Sequence, residues 1–180
     1  MERTLDPKEF GDLFQSFRRS AWRLETLPEY RTGREEEEEI RRFLAGDDPP
    51  EPDEPELRWQ DIIRSHLAAG RRMGRVHLIR GDLTDYLRWE IQWGYPPHAK
   101  AGEDIRILHV GEGELPELGT EDFWLFDDAL VVRMLYGPNG EWPGQAVLTD
   151  DPAIVADCER KRDLALSLAV PLGDYLEEHA

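Results

Sequence analysis

The chain has 180 residues, with 39 acidic against 22 basic side chains and a net charge of −17. A single cysteine excludes a disulfide scaffold or a cysteine-based zinc site, and no apolar run is long enough to cross a membrane. The N-terminus, charged from its second residue, does not read as a secretory signal, so the expectation is a folded cytoplasmic protein. The acidic surface repels duplex DNA at long range, and neither direct nucleic-acid binding nor a membrane partner is expected.

Asp6 and Pro7 open a helix whose apolar stripe is Phe10, Leu13, Phe14 and Phe17. The alternating segment 21–26 (AWRLET) reads as a half-buried strand, with Arg23 and Glu25 on one face. A helix over 35–45 stops at Gly46. Four prolines and six acidic residues then fill 47–56, which predicts an exposed loop within one domain spanning 1–180. A further helix runs over 57–69, and RVHLIR (75–80) is a strand bounded by Gly74 and Gly81. Asp82 or Thr84 caps a short helix carrying Trp89 and Trp93, which breaks at GYPP, and 104–110 is the next strand. In the C-terminal half, 122–128, 130–137 and 144–149 read as an antiparallel meander with a tight turn at Asp127–Asp128. A long helix starts at Pro152, and Pro171 separates it from a short terminal one. Five or six strands with a similar number of helices, not strictly alternating, predict an α+β fold with a mixed sheet flanked by helices.

No spacing of the five histidines suggests a metal, no glycine pattern cradles phosphate, and no serine sits in a nucleophile elbow. The sequence therefore gives no catalytic residue, no metal site and no cofactor. Cys158, on the apolar stripe of the last long helix, reads as a buried structural thiol. The charge is uneven, however. Arg31 to Arg58 holds 11 acidic and 5 basic residues, whereas 64–88 is rich in arginine. On strand 75–80, Val76 and Leu78 point to the core, which leaves Arg75 and His77 facing outward or into a shallow cleft. With Arg88 and Trp89 on the same rim, these four residues form the candidate binding surface, suited to a small anionic ligand or an acidic partner segment. Internal neutralisation by the acidic run Glu35 to Glu39 is the competing reading.

Five segments in order carry a resemblance: FRRSAWRLET with Tyr30 (17–30), GRVHLIRGDLTDYLRWEI (74–91), AGEDIRIL (101–108), DFWLFDD (122–128) and LALSLAVPLGDY (164–175). Together they resemble an actinobacterial family of unknown function whose members stand beside helix-turn-helix regulators. The resemblance implies a non-enzymatic regulatory or interaction module, partnered with a DNA-binding regulator or sensing a ligand. The C-terminal half, with a strand ending in Phe-Asp, a hairpin, Asp-Pro and a long helix closing on AVPL, is also similar to phospholipase D-like modules. Active members of that superfamily carry His-x-Lys-x4-Asp, in which the histidine attacks phosphorus and the lysine binds phosphate. His98, Lys100 and Asp104 come one residue short of that spacing, Ile105 stands at the expected position, and PPHAKAGE reads as loop. A small phosphodiesterase on a degenerate frame is the alternative function.

Overall fold

A computed structural model describes residues 2–31 and 33–179. Its frame is one eight-stranded sheet in the order β1-β7-β6-β5-β2-β3-β4-β8. The three central strands, β2 (Ser20–Glu25), β3 (Arg72–Arg80) and β4 (Asp104–Val110), are parallel to one another. On one side follow β5 (Phe123–Phe126), β6 (Leu130–Met134) and β7 (Ala146–Thr149), the antiparallel meander read from the sequence. The α+β class and the mixed sheet are as expected. The count rises to eight through two short edge strands, β1 (Glu2–Leu5) and β8 (Val170–Pro171), whose few residues carry no period of their own. Among the described residues no helix is long and apolar enough to cross a membrane.

The helices follow from their caps. Asp6 accepts the Glu9 backbone N–H while Glu9 returns the bond to the Asp6 N–H, which fixes the start of α1 (Pro7–Ser16). Helix α2 (Arg34–Ala45) ends on Gly46 at φ 79°, the left-handed stop that glycine adopts without strain. Asp53 caps α3 (Glu54–Ala68), so the helix begins inside the proline-rich stretch and only 47–53 remains as connecting chain. A proline in the first turn loses no hydrogen bond, which is why Pro55 does not delay the helix. Thr84 caps α4 (Asp85–Trp89).

Two expectations are corrected here. Strand β3 runs through Gly74 instead of stopping at it, paired with Trp22 and Asp104; glycine stands there because β4 packs too close for a side chain, a Cβ lying 2.9 Å from the Asp104 carbonyl oxygen. Nor does the helical path break at GYPP. A π-helical turn (Glu90–Gly94), closed by the Tyr95 N–H on the Glu90 carbonyl five residues back, leads directly into α5 (Tyr95–Ala101). The wider turn takes Pro96 and Pro97 at the start of α5, where their missing N–H groups are not needed.

One sheet face, built from Trp22, Leu24, Val76, Leu78 and Leu125, packs on α6 (Pro152–Leu168). Cys158 is buried there as expected, and burial pushes its thiol up to about 11. The other face is covered at one end by α1 and α3 through Phe14, Ile63, Trp124 and Phe126. At its other end lie α4, α5 and α7 (Leu172–Glu178), through Trp89, Tyr95 and Tyr175 over Ile105 and Ile107. The connections from β2 to β3 and from β3 to β4 thus place their helices on this second face, so the central strands are enclosed on both sides. The half-buried reading of β2 is corrected accordingly.

Asp127 holds the sheet at the hairpin. Asp127 and Asp128 both take positive φ (56° and 55°), as a primed hairpin turn requires. The Asp127 carboxylate accepts the backbone N–H groups of Arg18, Arg19 and Ser20 at 2.6–3.1 Å, which anchors the start of β2. Replacing Asp127 with Ala removes this acceptor and the residue type that tolerates positive φ. The expected loss is about 2 kcal/mol in urea unfolding, with Asp127→Asn losing clearly less.

A buried charge network beneath an acidic, aromatic cavity

On β2 and β3 the residues paired across the ladder are Arg23 with Arg75 and Glu25 with His77. All four project to the face covered by α4 and α5. Of the two placements expected for Arg75 and His77 on strand 75–80, outward or into a shallow cleft, the outward one does not hold: Arg75 is 6% and His77 0% exposed, while Arg23 is half-buried. The crossover helices enclose this face, so the polar period of the strand marks a buried network instead of a wet surface.

The contacts are dense. Arg75 donates from Nε and Nη2 to the two carboxylate oxygens of Glu103 (2.8 and 3.2 Å), and from Nη1 to Glu25 Oε2 (3.2 Å). Arg23 pairs with Glu25 Oε1 at 3.0 Å, donates to the Tyr136 hydroxyl at 2.8 Å, and lies 3.5 Å from Asp122 Oδ2. Tyr95 donates its hydroxyl to Glu25 Oε2 (2.9 Å), and His77 Nδ1 lies 2.7 Å from the same hydroxyl. His77 Nε2 donates to the Leu27 carbonyl at 2.9 Å. Asp122 accepts from the Thr26 N–H, the Thr26 hydroxyl and the Tyr30 hydroxyl.

Electrostatics follow from this packing. Burial raises the Glu25 carboxyl, but Arg23 and Arg75 overcome it and hold the group at about 2. Burial lowers His77, and the Glu90 and Glu25 carboxylates outweigh it, so the imidazole sits above its ordinary value. Asp122 is raised, chiefly by burial, with Arg23 opposing. A raised folded value for His77 means stabilisation that is complete below its unfolded value of 6.5 and is lost as pH rises through the folded one. Unfolding free energy is therefore expected to fall as pH rises above about 6.5 in the wild type, with His77→Gln removing that component of the slope.

Above the network opens a cavity of about 1000 Å³. Arg75, Glu90 and Tyr95 reach it from the network, and Trp59, Trp89 and Trp93 supply aromatic wall. α2, α3 and the 49–53 segment close the far side. Of the candidate surface, Arg75 and Trp89 line this space and His77 lies behind Tyr95. Arg88 does not join them: it is exposed and pairs with Asp85 at 3.5 Å. The acidic run Glu35 to Glu39 does not neutralise Arg75, which Glu103 and Glu25 occupy. Trp93 leaves Trp89 because of the π turn and packs edge-on against Phe43 at 5.3 Å.

His98, Lys100 and Asp104 do not assemble a phosphate site. His98 sits on α5, not in a loop, and its Nε2 lies 3.0 Å from Glu56 Oε2. Lys100 is exposed on the same helix, and Asp104 pairs outward with Arg106 at 3.0 Å. Among the described residues no group of three or more His, Cys, Asp or Glu side chains is placed to hold a metal ion.

The sequence of residues 8–177 matches the family DUF6879, a domain of unknown function. The chain belongs to that family. No curated protein matches it. Among solved structures, this DUF6879 chain is similar to Nuc, a phospholipase D family member from Salmonella typhimurium (TM-score 0.52, 11% identity, 95% of this chain and 98% of that one). It is similar also to NucT from Helicobacter pylori (TM-score 0.50, 12% identity, 95% and 98%). A third likeness is to TrmBL2, an archaeal chromatin protein with a novel mode of DNA binding (TM-score 0.50, 11% identity, 94% of this chain and 54% of that one). The fold is therefore phospholipase D-like over nearly the whole chain, wider than the C-terminal half in which the sequence suggested it.

The sequence places Arg23 and Glu25 on one face and Tyr30 among the residues of the resemblance, but gives Glu90, Glu103 and Tyr95 no role. The signal present was Arg23 and Glu25 two apart on a strand bracketed by apolar residues, which fits a buried pair as well as a wet face.

Proposed function

We propose that this chain is a non-enzymatic ligand-binding module on a phospholipase D-like frame, acting on a protein partner. One observation carries it: the buried Arg–Glu–His–Tyr network floors a large aromatic cavity, while His98 and Asp104, the ends of the near-phosphodiesterase spacing, are each paired elsewhere. A buried network of this kind costs desolvation that a core of apolar residues would avoid, and holding a rigid polar floor for a ligand is a use that offsets it. The partner we favour is a DNA-binding regulator, which the sequence resemblance implied and which the likeness to part of TrmBL2 supports. Segment 49–53 lines the cavity, and on this reading it is the element through which occupancy would change the surface.

The test uses untagged protein purified from its own host. Denaturation is expected to release a small molecule, and stripping it is expected to speed proteolytic cutting within 47–53. Protein that releases nothing and is cut at one rate throughout contradicts the reading. Turnover of bis(p-nitrophenyl) phosphate that disappears in His98→Ala would establish the phosphodiesterase alternative instead.

A further inference from the structure

We infer that the ligand of this cavity is a small organic cation, an amine or quaternary ammonium, held against Trp89, Trp93 and Tyr95 and neutralised by Glu90 and Glu39. This deepens the ligand-binding reading and rests on it. Seven carboxylates and four permanent cations line the space. Of the cations, Arg75 is committed to Glu103 and Glu25, and Arg64 donates to Asp61 and Gln60 (2.8 and 2.7 Å). The field that reaches a ligand is therefore negative, and a concave, low-dielectric wall concentrates it.

Two further observations point the same way. Glu90 is 7% exposed and lines the cavity. Its Oε1 accepts from the Tyr86 hydroxyl at 2.9 Å, but its Oε2, 3.2 Å from His77 Nδ1, accepts no hydrogen bond. That oxygen has an ion contact with His77 but accepts no hydrogen bond, which an ammonium would supply. Glu39, half-buried on α2, meets the like charges of Asp53 and Glu56 from the rim and α3, and burial with these charges holds its carboxyl above the usual range. A cation between the three elements relieves that repulsion. The aromatic wall suits the same ligand, since the faces of indole and phenol rings attract cations; Arg75 already lies 5.3 Å from the Tyr95 ring centroid. An anion, by contrast, reaches a free guanidinium here only by prising Glu103 from Arg75, which leaves a buried carboxylate unpaired.

The experiment is calorimetric titration of ligand-stripped protein with choline and with spermidine, and with inorganic phosphate and benzoate as anions. Saturable binding of a cation is expected, weakened about tenfold in Glu90→Gln and again in Glu39→Gln, and unchanged in the surface variant Asp157→Asn. Glu39→Gln sits on a half-buried helix position, so it reports on the site even where Glu90→Gln perturbs folding. Saturation by an anion alone, or by neither class at millimolar concentration, overturns the cation assignment. The released host ligand separates the two levels: an anionic molecule in the cavity overturns this inference and leaves the ligand-binding reading standing, whereas no molecule at all removes the reading itself.

Discussion

Arg75→Met is expected to cost about 3–5 kcal/mol of unfolding free energy, the largest effect of any single substitution in the network. For a chain of this size that corresponds to a drop in Tm of roughly 10 °C. The loss comes less from the missing guanidinium than from what stays behind. Glu103 loses both of its short bonds and is left with His98 Nδ1 at 3.8 Å, and Glu25 keeps only Arg23 and the Tyr95 hydroxyl. Replacing both ends as Arg75→Met with Glu103→Met removes the stranded charge, so the double variant is expected to lose clearly less than the sum of the single ones. A coupling of about 2 kcal/mol or more in that cycle is the signature of a paired buried charge. Additive losses would mean that the two side chains act independently and that the network is not a unit.

The second large effect is acid sensitivity. Glu25 is held at about 2 in the folded protein against an unfolded value of 4.5. Because the folded value is the lower one, its contribution is complete above about pH 4.5 and is lost as pH falls toward 2. The size is on the order of 3 kcal/mol. Asp122 works against it: its raised folded value means that protonation relieves a buried charge, which flattens the fall. Urea unfolding between about pH 5 and about pH 2 is expected to show the wild type losing stability steeply and Glu25→Gln losing it less steeply, with Asp122→Asn steepening the slope instead. Equal slopes in wild type and Glu25→Gln would show that the carboxyl is not held down by Arg23 and Arg75.

The caps and turns that place these groups were plain in the sequence. Asp6–Pro7, Gly46, Asp127–Asp128 and Pro152 each mark an element boundary through local backbone chemistry, and each does so in the structure, which also chooses Thr84 over Asp82 as the cap of α4. The site was less legible because its geometry is set by long-range covering, which no local period records. Arg75 and His77 alternate with Val76 and Leu78 as they would on a wet strand, and only the crossover helices turn that face inward. The π turn had a similar effect. It adds a residue to the turn between Trp89 and Trp93, so an i, i+4 stack on paper becomes two separate cavity walls. Glu103 lies two residues past α5 and just before β4, where nothing local distinguishes it from a solvated carboxylate. Its partner, Arg75, is 28 residues earlier.

On the proposed reading, the polar floor is kept to hold a ligand and not to cleave one. A crystal structure of the untagged protein from its own host tests this most directly. The account predicts a bound small molecule against Trp89, Trp93 and Glu90, with Arg75 still on Glu103 and Glu25. A phosphate-bearing molecule held between His98 and Lys100, with Arg75 drawn off Glu103 toward it, would contradict it.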